Sequence, residues 1–133
     1  MDFKIEEEIL QKFFKKNDRE RIIYELKNPE KRFTGICKIC SPQMARLKPS
    51  IFVPIDRKIW ISELIELLKG KGAQKEVYIM SIEFVGKVSL EEGVDFMFKE
   101  TGTLLYCGDG LGCFRRERFP FCGTAQMFLL VSK

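Results

Sequence analysis

The spacing of the apolar residues changes along this chain, and that change most constrains its fold. Near the N terminus, Ile5, Ile9 and Phe13 recur every four residues, which is the repeat of an amphipathic helix. In the C-terminal half, β-branched and aromatic residues form short runs between glycines, which is typical of strands joined by tight turns. The pattern predicts an α+β protein.

The N-terminal segment is predicted to form an αα-hairpin. A helix over 3–16 and a second helix over 19–27 are separated by Asn17-Asp18, which suits a break and a new helix start. Asn28-Pro29 ends the second helix, because proline disfavours helix in the residue before it. We expect both helices to bury their apolar stripes against a sheet.

The rest of the chain is predicted to alternate between strands and helices. The expected elements are a strand over 33–37, a helical turn at 41–44, an edge strand over 50–53, a helix over 61–68, a strand over 76–84, a helix over 90–99, and strands over 103–107, around 113–114 and over 126–131. Ser89 and Glu92 form a capping box before the 90–99 helix, and Gly93 inside it indicates a close packing contact.

These elements give the fold prediction. We expect one domain over residues 1–133, with the αα-hairpin followed by a mainly antiparallel sheet of about four to six strands and one or two further helices.

Composition limits the class of protein. Hydrophobic residues make up 45% and charged residues 32% of the chain, which fits neither a disordered nor a membrane protein. The first residues contain early acids and lack the apolar stretch of a secretion signal, so we expect a cytoplasmic bacterial protein. The net charge of +4 is modest and does not by itself indicate a nucleic-acid partner.

The absence of histidine argues against common catalytic chemistry. Histidine supplies most acid–base catalysis at neutral pH, and this chain has none. A nucleophile–base pair cannot be assembled from the remaining motifs, so the sequence favours a protein that is not an enzyme. Glu83 is a carboxylate among apolar neighbours, but an outward-facing strand position is the favoured interpretation.

Five cysteines raise the question of a metal or redox site. Cys37 and Cys40 form a C-x2-C pair, whereas Cys107, Cys113 and Cys122 have no spacing that would complete a zinc site. A redox pair would be expected at the start of a helix that follows a strand, and this pair precedes Ser-Pro, which looks like the helix start. We therefore predict five reduced thiols, no metal and no cofactor, with zinc binding and redox chemistry as the alternatives.

The segment 108–123 is predicted to be the functional surface. Its glycines indicate a hairpin turn rather than a phosphate-binding loop, because no confident helix follows them. A solvated strand edge is the favoured interpretation of its arginines, and an acidic protein partner, RNA or a phosphorylated ligand are the functional alternatives that its arginines and phenylalanines suit. The candidate binding residues are Asp109, Phe114, Arg115, Arg116, Arg118 and Phe119.

Two stretches carry a resemblance to a family. Residues 19–32 (RERIIYELKNPEKR) and 67–81 (LLKGKGAQKEVYIMS) resemble segments of small uncharacterised bacterial proteins with an R-E-R-…-E-L-…-P-K-K-R run and an L-L-…-G-A-P-…-C-Y-V-I-S segment. Residues 90–92 and 102–105 match that family's L-E-E-A and G-T-L-L positions, whereas Gln74 replaces its usual proline. The resemblance implies a single α+β domain and no established activity.

These observations favour a non-catalytic module that binds another protein. Its size and lack of catalytic motifs suggest a bacterial immunity or inhibitor type of protein by analogy. The alternative is an enzyme or binder that acts on nucleic acid or a phosphorylated ligand through Arg115, Arg116 and Arg118. No membrane partner is expected.

Overall fold

The computed structural model describes residues 2–40, 43–49, 51–55, 59–100, 102–117 and 125–132. The helices are α1 (Phe3–Phe13), α2 (Lys16–Lys27), α3 (Arg32–Cys40), α4 (Ile61–Gly70) and α5 (Leu90–Lys99), with a short 3-10 turn at Met44–Arg46. The strands are β1 (Phe52–Ile55), β2 (Glu76–Met80), β3 (Val85–Ser89), β4 (Thr103–Gly108), β5 (Leu111–Glu117) and β6 (Ala125–Val131). The predicted α+β class and its N-terminal helical hairpin are confirmed.

One sheet with helices on both faces organises the molecule. Its strand order is β1-β6-β5-β4-β2-β3, and all neighbouring strands are antiparallel. Alternate residues of each strand face opposite sides, which creates two apolar layers. One layer packs under α1, α2 and α3, and the other packs under α4 and α5. Within the described ranges, none of these helices is long and apolar enough to cross a lipid bilayer.

The αα-hairpin packs on the sheet as expected. Ile9, Phe13, Ile22 and Leu26 are all buried in the same apolar cluster as residues of the central strands. The ring of Phe13 meets that of Tyr106 edge to face, with 5.7 Å between centroids. This hairpin therefore supplies a large share of the core on its side of the sheet.

The break between the first two helices lies earlier than predicted. Helix α1 ends at Phe13, and α2 already begins at Lys16, so Asn17 and Asp18 lie inside α2. Phe14 is fully buried and forms an isolated β-bridge with Leu47, and the extended backbone that this bridge requires ends the helix. Packing of an aromatic side chain therefore decides this boundary.

The predicted strand over 33–37 is wrong, because these residues belong to α3. A Cβ atom on Gly35 would lie 3.1 Å from Cδ2 of Leu26, so the missing side chain lets α3 approach α2 closely. The Lys38 ammonium group also donates to both carboxylate oxygens of buried Glu25, at 2.8 and 2.9 Å. These tertiary contacts override the strand propensity of the segment.

The single strand predicted over 76–84 is in fact a strand followed by a turn. Strand β2 ends at Met80, and the chain returns as β3 after Ile82 and Glu83. The N–H of Ser81 donates to the carbonyl of Phe84 at 3.0 Å and closes the turn. Glu83 is exposed there, rather than on a strand. The turn lacks the glycine or asparagine that usually marks a hairpin, so periodicity could not reveal it.

Several other predicted elements are confirmed, with small shifts, whereas the turn predicted over 41–44 falls in part on residues 41 and 42, which are outside the described residues. The edge strand β1 begins at Phe52 and includes Pro54. Ser89 and Glu92 form the expected capping box of α5. A Cβ atom on Gly93 would lie 2.7 Å from Cδ1 of Leu105, which confirms the close contact between α5 and the sheet.

Candidate functional site

The β4–β5 turn contains three consecutive residues with positive φ angles. Gly108, Asp109 and Gly110 have positive φ angles of 92°, 49° and 78°. A side chain at Gly110 would place a Cβ atom 2.7 Å from the carbonyl oxygen of Ser132, so glycine is required there. The positive φ angles of Asp109 and Gly110 are those of a two-residue β-hairpin turn, in which aspartate followed by glycine is a preferred pair, so the predicted hairpin turn is present.

A buried tyrosine ties this turn to helix α1. The hydroxyl of Tyr106 donates to the carboxylate of Glu8 and accepts the N–H of Gly110 at 3.1 Å. Burial, together with the bond to Glu8, raises the pKa of Tyr106 above its ordinary value. The phenol therefore stays neutral and acts as a fixed hydrogen-bond donor.

A second tyrosine anchors the start of α1. The hydroxyl of Tyr78 donates to Oε2 of Glu6 at 2.6 Å and accepts the N–H of Asp2 at 2.9 Å. Glu6 is 0% exposed, and Arg32 binds its carboxylate in a bidentate manner at 2.9 and 2.6 Å. Burial raises the pKa of Tyr78, and the bond to Glu6 raises that of Arg32. This network fixes α1 and α3 against β2.

Between α1 and the β4–β5 turn lies a cleft of about 280 Å³. Tyr78 and Tyr106 lie side by side on β2 and β4, and both contribute to its lining. Ile5 of α1 and Gln74, which precedes β2, also line the cleft. We call this the tyrosine cleft.

The tyrosine cleft is negatively charged although the whole chain is positive. Glu8, Glu76 and Asp109 line it and are exposed. Among the described residues, Lys87 is the one basic residue of the lining, and its ammonium group lies 3.3 Å from the carboxylate of Asp2. Three carboxylates therefore face one ammonium group that already has a partner. The cleft suits a cation.

Of the predicted binding residues, Asp109 lies in the tyrosine cleft. Phe114 lies elsewhere: it is fully buried, and its ring stacks on that of Phe128 with 4.9 Å between centroids. Phe114 therefore has no ring surface for a partner and contributes to the core instead.

The arginine cluster is only partly described. Arg115 donates from Nη1 to the carbonyls of Met97 and Phe98, at 3.2 and 2.7 Å, and so binds the C-terminal end of α5. The backbone of Arg116 lies in β5, but its side chain, like all of Arg118 and Phe119, is outside the described residues. Anion binding by these arginines stays a prediction.

Sequence reasoning missed most of the tyrosine cleft. Glu6 offered a signal, because it precedes Ile9 by three and Leu10 by four residues and therefore falls on the apolar face of α1. Tyr78 and Tyr106 offered none, since their carboxylate partners are 72 and 98 residues away in the chain.

The cysteines show no reactive arrangement in the described ranges. Burial raises the pKa of Cys107 to about 12 and that of Cys113 well above its usual value, so both thiols resist ionisation. Cys37, Cys40, Cys107 and Cys113 form no disulfide with one another, and Cys122 lies outside the described residues. Residues 2–40, 43–49, 51–55, 59–100, 102–117 and 125–132 contain no cluster of three or more potential metal ligands. Reduced, metal-free thiols remain a prediction.

Comparison with known proteins gives no relative. No protein-family model matches the chain, no curated protein is similar to it, and no solved structure matches it. The resemblance to small bacterial proteins stays a prediction, and the tyrosine cleft is the feature from which function can be argued.

Proposed function

We propose that the protein is a non-catalytic binding module whose tyrosine cleft takes the lysine or arginine side chain of a protein partner. The observation that carries this proposal is the charge of the cleft. Glu8, Glu76 and Asp109 line the cavity, and the ammonium group that the described lining contributes, on Lys87, is paired with Asp2. A cationic side chain would find charge-assisted hydrogen bonds there.

The chemistry of the site supports binding over catalysis. Both tyrosine hydroxyls donate to carboxylates, and a phenol is protonated at neutral pH even before burial raises the pKa values of Tyr78 and Tyr106 further. A general base must be able to accept a proton at the working pH, which these phenols do poorly. Their role is to hold α1 and the β4–β5 turn in place around the cavity.

The size of the tyrosine cleft supports a side chain as the ligand. Its volume of about 280 Å³ lies just below the range of small-molecule pockets, which starts at about 300 Å³. Ile5 is half-buried and supplies apolar surface beside the carboxylates, while the two tyrosines are buried beneath the cleft. A lysine or arginine side chain has the matching form, with an aliphatic stem and a charged head.

The experiment is an NMR titration of the ¹⁵N-labelled protein with a capped Gly-Arg-Gly peptide, and with the same peptide carrying uncharged citrulline. We expect the arginine peptide to shift the amide signals of Gly108, Asp109 and Gly110, and the citrulline peptide to shift them much less. Equal shifts with both peptides, or shifts only at other surfaces, would contradict the proposal.

Charge variants give the matched control. Glu76→Gln with Asp109→Asn removes two cleft carboxylates, and we expect the arginine peptide to bind about three- to tenfold more weakly. Glu20→Gln with Glu30→Gln removes the same charge from exposed positions of the helical hairpin and the turn that follows it. We expect this second variant to bind like the wild type, because the effect depends on position and not on net charge.

A further inference from the structure

The two outer edges of the sheet differ in the groups they offer. At the β1 edge, the N–H of Val131 donates to the carbonyl of Ile51 at 2.8 Å. In an antiparallel pair, every second residue is hydrogen-bonded to the neighbouring strand, so this bond shows which residues of β1 bond to β6 and which do not. Phe52 and Pro54 therefore direct their backbone groups outward, and proline has no N–H to offer. This edge is poorly suited to pairing with another strand.

The β3 edge is open. The N–H of Ser81 donates to the carbonyl of Phe84, and the N–H of Leu90 donates to the carbonyl of Lys75. These two bonds show which residues of β3 are hydrogen-bonded to β2. The backbone N–H and carbonyl groups of Gly86 and Val88 consequently form hydrogen bonds with β2.

The backbone groups of Val85 and Lys87 therefore point away from the sheet. No residue of the described ranges forms a hydrogen bond with them. Unpaired strand groups of this kind are a template for a further strand.

Exposed apolar side chains accompany this edge. Ile82 is 55% and Phe84 is 42% exposed in the turn that leads into β3. Alternation places Phe84, Gly86 and Val88 on one side of the extended chain, and Val88 is only half-buried. An added strand would therefore gain apolar contacts as well as backbone hydrogen bonds.

We propose that β3 pairs antiparallel with β3 of a second copy, about a twofold axis at Gly86. In this register Val85 faces Lys87 of the second copy, and Lys87 faces Val85, which gives about four new backbone hydrogen bonds. A register centred on Lys87 would oppose two ammonium groups and would require the N–H of Ser89, which donates to Glu92 at 3.3 Å. A register centred on Val85 would require Glu83, which lies in the turn.

The side chains agree with the register centred on Gly86. Phe84 of each copy lies opposite Val88 of the other, so an exposed ring gains an apolar neighbour twice. The two Gly86 residues meet at the axis without side chains. Lys87 lies beside a valine and its ammonium group keeps Asp2 as its partner. No like charges oppose each other across the axis.

Sedimentation over a range of protein concentrations tests this pairing. We expect the mass of the wild type to rise from 15.5 kDa towards twice that value. Lys87→Pro removes an outward N–H without touching the β2–β3 ladder, as Pro54 does in β1, and we expect this variant to stay monomeric. Lys87→Ala removes the same ammonium group but keeps the N–H, and we expect it to associate like the wild type.

The register has its own test, which also serves if Lys87→Pro fails to fold. Val85→Lys would bring two ammonium groups together at each pair, and we expect association to be lost. Adding Lys87→Glu should restore it through two new ion pairs. A wild type that is monomeric at every concentration, or a dimer that persists in both Lys87→Pro and Val85→Lys, would overturn the proposal. Loss in Val85→Lys without restoration would overturn the register.

Discussion

Removal of the Arg32 guanidinium group should destabilise the protein strongly. Its partner Glu6 is 0% exposed, and Arg32 supplies two of its hydrogen bonds, at 2.9 and 2.6 Å. In Arg32→Met the carboxylate keeps only the hydroxyl of Tyr78 among these partners. Breaking a buried ion pair by removing one partner costs about 3–5 kcal/mol, because the other charge stays desolvated. The Arg32 side chain is 17% exposed, which favours the lower end, about 3 kcal/mol.

The assay is urea unfolding followed by circular dichroism, with the free energy of unfolding extrapolated to water. Glu6→Gln should recover part of the loss when combined with Arg32→Met, because it removes the unpaired charge. Lys99→Met is the control: its ion pair with Asp95 is exposed, with side chains 70% and 48% accessible, so stability should hardly change. A loss below about 1 kcal/mol in Arg32→Met, or additive effects in the double variant, would refute the reasoning.

Three further predictions concern the core and the pH dependence. Gly93→Ala should cost about 1–3 kcal/mol in urea unfolding because the new methyl group meets side chains of β2 and β4, whereas Gly70→Ala, with open space around it, should cost nothing. Phe13→Ala should cost about 3–5 kcal/mol, and a loss below about 1 kcal/mol would show that α1 is peripheral. Folding raises the pKa of Cys107 from 9.0 to about 12, so its contribution to stability is complete below pH 9 and is lost as the pH rises through 9–12, whereas the raised pKa of Tyr78 places the loss of its contribution above pH 10. Cys107→Ala should make that decline shallower by about 1.4 kcal/mol per pH unit in unfolding titrations, and an unchanged slope would contradict the assignment.

Local sequence patterns correctly predicted those elements whose apolar spacing or capping residues are contained in the element itself. The stripe that contains Ile9 and Phe13 requires no knowledge of distant residues, and the capping box at Ser89 is a local signal. Helix α3 could not be predicted in this way, because Gly35 is helical through its contact with α2. The β2–β3 turn was hidden because Ile82 and Glu83 at its centre are not typical turn residues, although Ser81, whose hydroxyl accepts the N–H of Glu83 at 3.2 Å, is one.

The tyrosine cleft was harder to predict than the fold. Its walls come from α1, β2, β3, β4 and the β4–β5 turn, and each hydroxyl–carboxylate bond joins residues far apart in the chain. Composition pointed instead to the arginines, yet Arg115 binds the carbonyl groups at the end of α5. A cluster of arginines indicates a binding site only when the guanidinium groups are not already bound to other groups of the same protein.

The most direct test of the tyrosine cleft is a thermodynamic cycle between its carboxylates and the charge of the ligand. The dissociation constants of the arginine and citrulline peptides are measured for the wild type and for Glu76→Gln with Asp109→Asn. We predict that the wild type prefers arginine and that the preference largely disappears in the variant, because the charge–charge contact is lost. The same preference in both proteins would contradict a cation site in this cleft.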